Sequence, residues 1–287
     1  MNKEYFSDKE NGIKIANTEE ITINVFNGII SVYSEFKKSM AFKFPDKDDY
    51  GNLKDINYGM FKERMLAVIP DFTVNTYGWI SALEEGDDFD KYALLDFIEF
   101  CWENISDYEL GRYGLIFSEG DTNKLKFADT INKIFERNGV GFRLNNKGEI
   151  ERILPIQLDV LVRNYCHTGN DDQLNKLIDE SIKNIKKARI QYRQIAIEKL
   201  WGAFERIKTY YCSKKKKSVE ELITNVAETS VEFGELINVE MKELSDIGNN
   251  YRIRHHETNK IKIVSIKHID YLFYRMMSMI SLLASYI

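Results

Sequence analysis

Glu198-Lys199-Leu200-Trp201-Gly202-Ala203-Phe204-Glu205-Arg206-Ile207-Lys208-Thr209 sits inside a longer run, Ile195 to Tyr211, whose apolar residues keep a helical period. Leu200, Phe204, Ile207 and Tyr211 fall on one face, so the run predicts a helix with that face inward. Trp201 lies beside the stripe and reads as core in preference to a base-stacking platform. Glu198 and Glu205 share another face, with Lys199 and Arg206 next to them. That face is either a solvated, salt-bridged surface or a place where Lys199 and Arg206 contact nucleic-acid phosphates.

Outward from this helix the pattern stays helical. Upstream, a charged helix runs from Asp171 to about Lys187. Downstream, Lys214 to Lys217 reads as a basic linker and Ser218 as the cap of the next helix, with Glu220 and Glu221 at its positive end. That helix continues to Ile247 with a break near Gly234, and Gly248-Asn249-Asn250 interrupts before a last helix after Ser265. Four long helices with short connections predict an up-and-down bundle of roughly one hundred residues. The last helix is apolar from Tyr271 to Ile287, but it contains Arg275 and falls short of the ~20 residues a bilayer span needs. Its Leu272, Met276, Met279, Leu283 and Tyr286 describe one buried face.

The N-terminal part opens with a polar arm, then a helix capped by Asn17 with Glu20 in capping-box position and a stripe of Val25, Ile29, Tyr33 and Phe36. Phe44 to Gly51 is an acidic loop with a superficial calcium-loop look. Tyr50 occupies a ligand position there and Asn57 replaces the closing Glu, so the loop reads as solvated. Asp90 to Ile105 is a second helix, with Leu94, Ile98, Cys101 or Trp102, and Ile105 on one face. Asp121 caps a third, which runs to Arg137. From Val140 to Ile153 the period falls to two around Asn146-Lys147-Gly148, which reads as a β-hairpin.

Composition agrees with a mainly α chain of one or two domains: 287 residues, 44% hydrophobic, 30% charged and only 3 Pro. The 3 cysteines are widely spaced with no CxxC pair, which suits small buried hydrophobes in a reducing compartment. The polar start, Met1-Asn2-Lys3-Glu4, lacks a signal-peptide core, so a cytoplasmic location without membrane attachment is expected. Charge is uneven. Residues 187–287 carry 17 Lys and Arg against 12 Asp and Glu, and the first 186 carry 23 against 33, so the C-terminal part can approach a polyanion. No internal repeat, GxGxxG or P-loop is present.

One segment concentrates catalytically capable side chains: Tyr251-Arg252-Ile253-Arg254-His255-His256-Glu257, holding two of the chain's 4 histidines. In a helix, Arg252 would share a surface with His255 and His256, and Arg254 with Glu257. Imidazole beside guanidinium is the minimal equipment for metal-independent RNA cleavage, one taking the 2′-hydroxyl proton and the other stabilising charge on phosphorus. Two other readings stay open. Ion pairing of Glu257 with the arginines would be purely structural, and metal binding suffers because adjacent helical histidines diverge by about 100°. No metal or cofactor is expected.

Several stretches together resemble bacterial abortive-infection proteins of the AbiJ type. They are Tyr5 to Lys9, Ile131 to Arg137 running into Gly139-Val140-Gly141, Glu198 to Thr209, and Asp246 to His255. Such proteins are similar to the HEPN superfamily, helical bundles that often dimerise and place an Arg and a His at the interface as a ribonuclease. The superfamily spaces its Arg and His by four to six residues, whereas Arg252 and His256 enclose three. The resemblance implies an AbiJ-like helical domain over 1–165 with a hairpin near 140–154, and a HEPN-like bundle over 166–287 that forms a homodimer. It implies phage defence by an endoribonuclease acting on cellular RNA such as tRNA through Arg252, Arg254, His255, His256 and Glu257. The alternative is a non-enzymatic sensor or adaptor that binds a protein or nucleic-acid partner.

Overall fold

The computed structural model describes residues 6–12, 18–75, 77–169, 171–253 and 259–287, and the chain divides into two units, Met1–Ile153 and Leu154–Ile287. Both are mainly helical, and the small antiparallel sheets lie in the first.

The first unit begins with a short helix α1 (Phe6–Asn11) inside the stretch read as a polar arm. Helix α2 (Ile23–Phe36) starts later than its sequence signal, because Thr22 supplies the cap by accepting the Val25 N–H at 3.4 Å. The expected cap, Asn17, lies outside the described residues. The stripe Val25, Ile29, Tyr33 and Phe36 is buried as its period requires.

The acidic loop is the turn of a hairpin, β1 (Pro45–Lys47) with β2 (Leu53–Ile56). Asp48 folds it by accepting the N–H groups of Tyr50 at 3.0 Å and Asn52 at 2.8 Å. Burial works against that carboxylate, but its bonds from Asn52, Lys54 and Tyr50 prevail and hold the pKa down at about 2.

Helices α3 (Tyr58–Val68) and α4 (Lys91–Asn104) follow, capped by Asn57 and Asp90. Leu94, Ile98, Cys101 and Ile105 are buried along the face expected of them. A second hairpin, β3 (Asp107–Leu110) with β4 (Leu115–Ser118), precedes α5 (Thr122–Arg137). The Asp121 side chain makes no cap bond to α5. Asp107 does that work from the neighbouring strand, accepting Thr122 N–H at 2.9 Å and Asn123 N–H at 2.6 Å.

The predicted hairpin is present as β5 (Phe142–Leu144) and β6 (Ile150–Arg152). Gly148 in its turn has φ +81°, and a Cβ there would lie 2.1 Å from Trp102 Cε3, so only glycine fits. The core behind these elements is aromatic: Tyr33 stacks on Phe61 at 5.3 Å and Phe72 meets Phe97 at 4.5 Å.

Among the described residues, the named elements of the second unit are helices: α6 (Ile156–Arg163), α7 (Asp172–Ile185), α8 (Ile190–Ile207), α9 (Lys215–Ala227), α10 (Val231–Asn250) and α11 (Ile266–Ala284). Leu200, Phe204, Ile207 and Trp201 of α8 are fully buried. The Trp201 indole N–H donates to the Leu244 carbonyl at 2.9 Å, tying α8 to α10. Ser181 Oγ of α7 donates to the Ala196 carbonyl of α8 at 2.6 Å.

Three local expectations change here. Lys215–Lys217 belong to α9, and Ser218 is a buried residue within that helix whose Oγ accepts the Tyr211 N–H at 3.1 Å. The break between α9 and α10 comes at Glu228, with φ +50°, and Ser230 caps α10 by accepting the Phe233 N–H at 3.2 Å. Gly248 does not interrupt α10; its missing side chain admits Trp201, whose Cδ1 would lie 2.4 Å from a Cβ.

Arg275, which breaks the apolar run of α11, forks onto Glu240 at 2.8 and 2.9 Å and reaches Glu243 at 2.6 Å on α10. Among the described residues no helix is long and apolar enough to cross a membrane. Cys101 is buried as expected, but Cys166 is exposed and Cys212 half-buried, since both fall at helix connections instead of on apolar faces.

Candidate functional site

Helix α10 ends at Asn250, so Tyr251, Arg252 and Ile253 do not continue its surface. Tyr251 bridges Ile261, and Arg252 and Ile253 form a turn. The Arg252 N–H donates to the Ile261 carbonyl at 2.9 Å, and the Ile261 N–H donates to the Asn250 carbonyl at 3.1 Å. The helical geometry considered for Arg252 and the histidines therefore does not apply at Arg252. Its side chain is also engaged, with Nε donating to the Lys260 carbonyl at 3.1 Å.

The staple is anchored inward. Ile253 and Ile263 are buried in the second unit's core, and Gln194 Nε2 of α8 donates to the Ile263 carbonyl at 3.2 Å. Arg254, His255, His256 and Glu257 lie outside the described residues. Beyond the staple, exposed Lys262, Lys267 and His268 follow in sequence, the last two in the first turn of α11. His268 was not singled out from sequence because nothing ionisable stands directly beside it except Lys267.

Lys199 and Arg206, the candidate phosphate contacts, both bind carboxylates of the preceding helix or its cap. Lys199 Nζ lies 2.7 Å from Glu180 Oε2 and holds that carboxyl below its ordinary pKa. Arg206 Nε lies 2.7 Å from Asp171, which at the same time caps α7 through the Leu174 N–H. A phosphate at either position would have to displace a carboxylate.

A second cluster forms where α8 ends. Glu205 accepts from Lys208 through one carboxylate oxygen and from Lys215 at 2.7 Å through the other. Lys208 Nζ also donates to Ser245 Oγ of α10 at 2.8 Å and sits 4.5 Å from the Phe204 ring centroid. Only 3% of Lys208 is exposed. Burial pushes its pKa down to about 8, with Glu205 resisting. A buried amine whose pKa is lowered to about 8 is an unusual chemical resource. Its sequence signal was faint, because the Glu205–Lys208 spacing was visible but Lys215 and Ser245 arrive from other helices.

Among the described residues no group of three or more His, Cys, Asp or Glu side chains is placed to hold a metal ion.

A family model described as AbiJ N-terminal domain 4 matches residues 4–168. No curated protein and no solved structure matches the chain.

Proposed function

Because the chain belongs to the AbiJ family, carrying its N-terminal domain 4 over residues 4–168, we propose that it acts in abortive infection as a phage-defence effector whose second unit attacks cellular RNA. The family match carries the defence role. The ribonuclease reading rests on the segment 252–257, the densest collection of guanidinium and imidazole groups in the sequence.

In this reading the second unit is a HEPN-like bundle working as a homodimer. His255 or His256 takes the proton from a ribose 2′-hydroxyl, and the resulting oxygen attacks the adjacent phosphorus. Arg252 or Arg254 neutralises charge accumulating on the phosphoryl oxygens, and Glu257 orients its neighbours. The 5′-oxygen leaves with a proton, and a 2′,3′-cyclic phosphate remains. Lys199 and Arg206 hold more distant phosphates after exchanging their carboxylate partners. No metal participates in this scheme.

A second reading has its own support. Arg252 Nε already serves the Lys260 carbonyl, which is the behaviour of a residue shaping a connection. A non-enzymatic adaptor whose segment 252–257 contacts a protein or nucleic-acid partner would use it that way.

Incubating the purified protein with total RNA or tRNA in EDTA, beside a His255→Ala/His256→Ala variant, separates the two. The nuclease reading expects RNA loss with cyclic-phosphate ends from the parent protein and none from the variant. Equal loss from both, or none from either, sinks it.

A further inference from the structure

A groove of about 990 Å³ runs between α9 and α10. Its floor is apolar, formed by Val219, Ile223 and Ala227 of α9 and Met241 of α10. Lys208, Lys215, Lys216, Lys242 and Ser245 line it where α9 begins and α10 approaches its end, with Glu220 one turn from Lys216, while Glu228 and Glu235 lie towards the α9–α10 connection. The volume is that of a small-molecule site.

The charge at the lysine end is unbalanced. Lys208 and Lys215 both pair with the single carboxylate of Glu205, and Lys208 is buried. Two ammonium groups sharing one carboxylate leave a positive excess beside an apolar floor, where Coulomb attraction is poorly screened. Two of the three Lys208 N–H bonds go to Glu205 and Ser245, so the amine is oriented before any ligand arrives.

We infer that this groove binds a small amphipathic organic anion, its carboxylate or phosphate head seated at Lys208, Lys215 and Ser245 and its hydrocarbon part along Val219, Ile223 and Met241. An anion of this kind supplies the missing negative charge and covers the floor in one step. Neither inorganic phosphate nor a neutral alcohol does both. The groups that meet the amine are Glu205 and the Phe204 ring from α8 and Ser245 from α10; Lys215 of α9 holds the other oxygen of Glu205, and Lys216, Glu220 and Lys242 line the same groove. The head group favours the protonated amine, so binding weakens as Lys208 loses its proton above pH 8. The inference stands apart from the nuclease reading, since its test measures no RNA cleavage.

The full-length protein is titrated calorimetrically with octyl phosphate, octanoate, octanol and inorganic phosphate. Acetylation of Lys215, the exposed lysine of the site, is followed in parallel by peptide mass spectrometry. One of the two amphipathic anions should saturate at least about 10-fold more tightly than octanol or inorganic phosphate, and comparing them identifies the head group. Its occupancy should slow acetylation of Lys215 but not of exposed Lys267. Lys208→Met, and separately Ile223→Trp, which fills the floor and leaves every charge in place, should each weaken binding by about 10-fold or more. The inference fails if neither anion saturates, if inorganic phosphate binds as tightly, or if Lys215 is acetylated at the same rate in saturating ligand. Protection of Lys215 by a short oligoribonucleotide but by neither anion would reassign the groove to nucleic acid.

Discussion

Residues 1–153 hold fourteen of the chain's 17 phenylalanines, whereas residues 154–287 hold three and build their core from aliphatic side chains and methionine. The units also differ in the charge they bury. Among the described residues of the first, the buried cation is Arg152, which meets Glu19 at 3.1 Å. In the second, Arg193 and Lys208 are both buried, Arg193 donating to the carbonyls of Lys187 at 3.2 Å and Ala188 at 2.9 Å beyond the end of α7. Interlocked rings serve stability and leave little chemistry behind. Desolvated cations are costly to keep, and the unit that also carries the Arg/His segment keeps two of them, Arg193 and Lys208.

The largest test of this contrast is Phe97→Ala. Phe97 is fully buried between Tyr33 and Phe72, so its truncation should cost about 3–5 kcal/mol in chemical denaturation. A loss under about 1 kcal/mol would mean that the aromatic core is not the main support of its unit.

Next comes Lys208→Met. The folded-state pKa of Lys208, about 8, lies below its ordinary 10.5, so the unfolded chain binds the extra proton between those values. The burial penalty is therefore fully present below pH 8 and fades as pH rises towards 10.5. At neutral pH the Met variant should be more stable than the parent by up to about 3 kcal/mol, an advantage that shrinks through that window. A pH-independent difference in melting temperature would refute the assignment.

Gly248→Ala separates local preference from packing. Helix propensity alone expects a gain of about 1 kcal/mol. The Trp201 indole, 2.4 Å from the new Cβ, instead makes it a loss of about 2 kcal/mol. Hydrogen exchange should rise in the peptides of α8 and α10 and not in the first unit.

The smallest effects form a pair. Asp107→Ala removes the acceptor for two N–H groups at the start of α5 and should cost about 1 kcal/mol. Arg206→Ala breaks an ion pair on a half-exposed side chain and should cost less than about 1 kcal/mol. Equal losses would erase the distinction between a cap and a surface bridge.

The long helices were legible where each buries a continuous stripe: Val25 to Phe36, Leu94 to Ile105, Leu200 to Ile207 and Leu272 to Leu283 all lie inward. The shorter α1, α3 and α6 were not, and α9 and α10 read as one helix. The hairpins of β1–β2 and β3–β4 were not. Their strands are three or four residues long and half-exposed, too short for alternation to stand out. Caps failed where the acceptor came from elsewhere, since no local rule links Asp107 to a helix starting fifteen residues later. The Arg/His segment was visible as a cluster in sequence. The Lys208–Glu205–Lys215–Ser245 cluster was not, because three helices must pack before those side chains meet.

The hydrogen bonds that join Asn250, Arg252 and Ile261 have a practical corollary. They tie the end of α10 to the chain that leads into α11, and Ile253 and Ile263 seat both in the core of the second unit. The Arg252 and Ile261 amides should therefore exchange slowly for as long as α11 stays docked, a built-in reporter of the bundle's integrity.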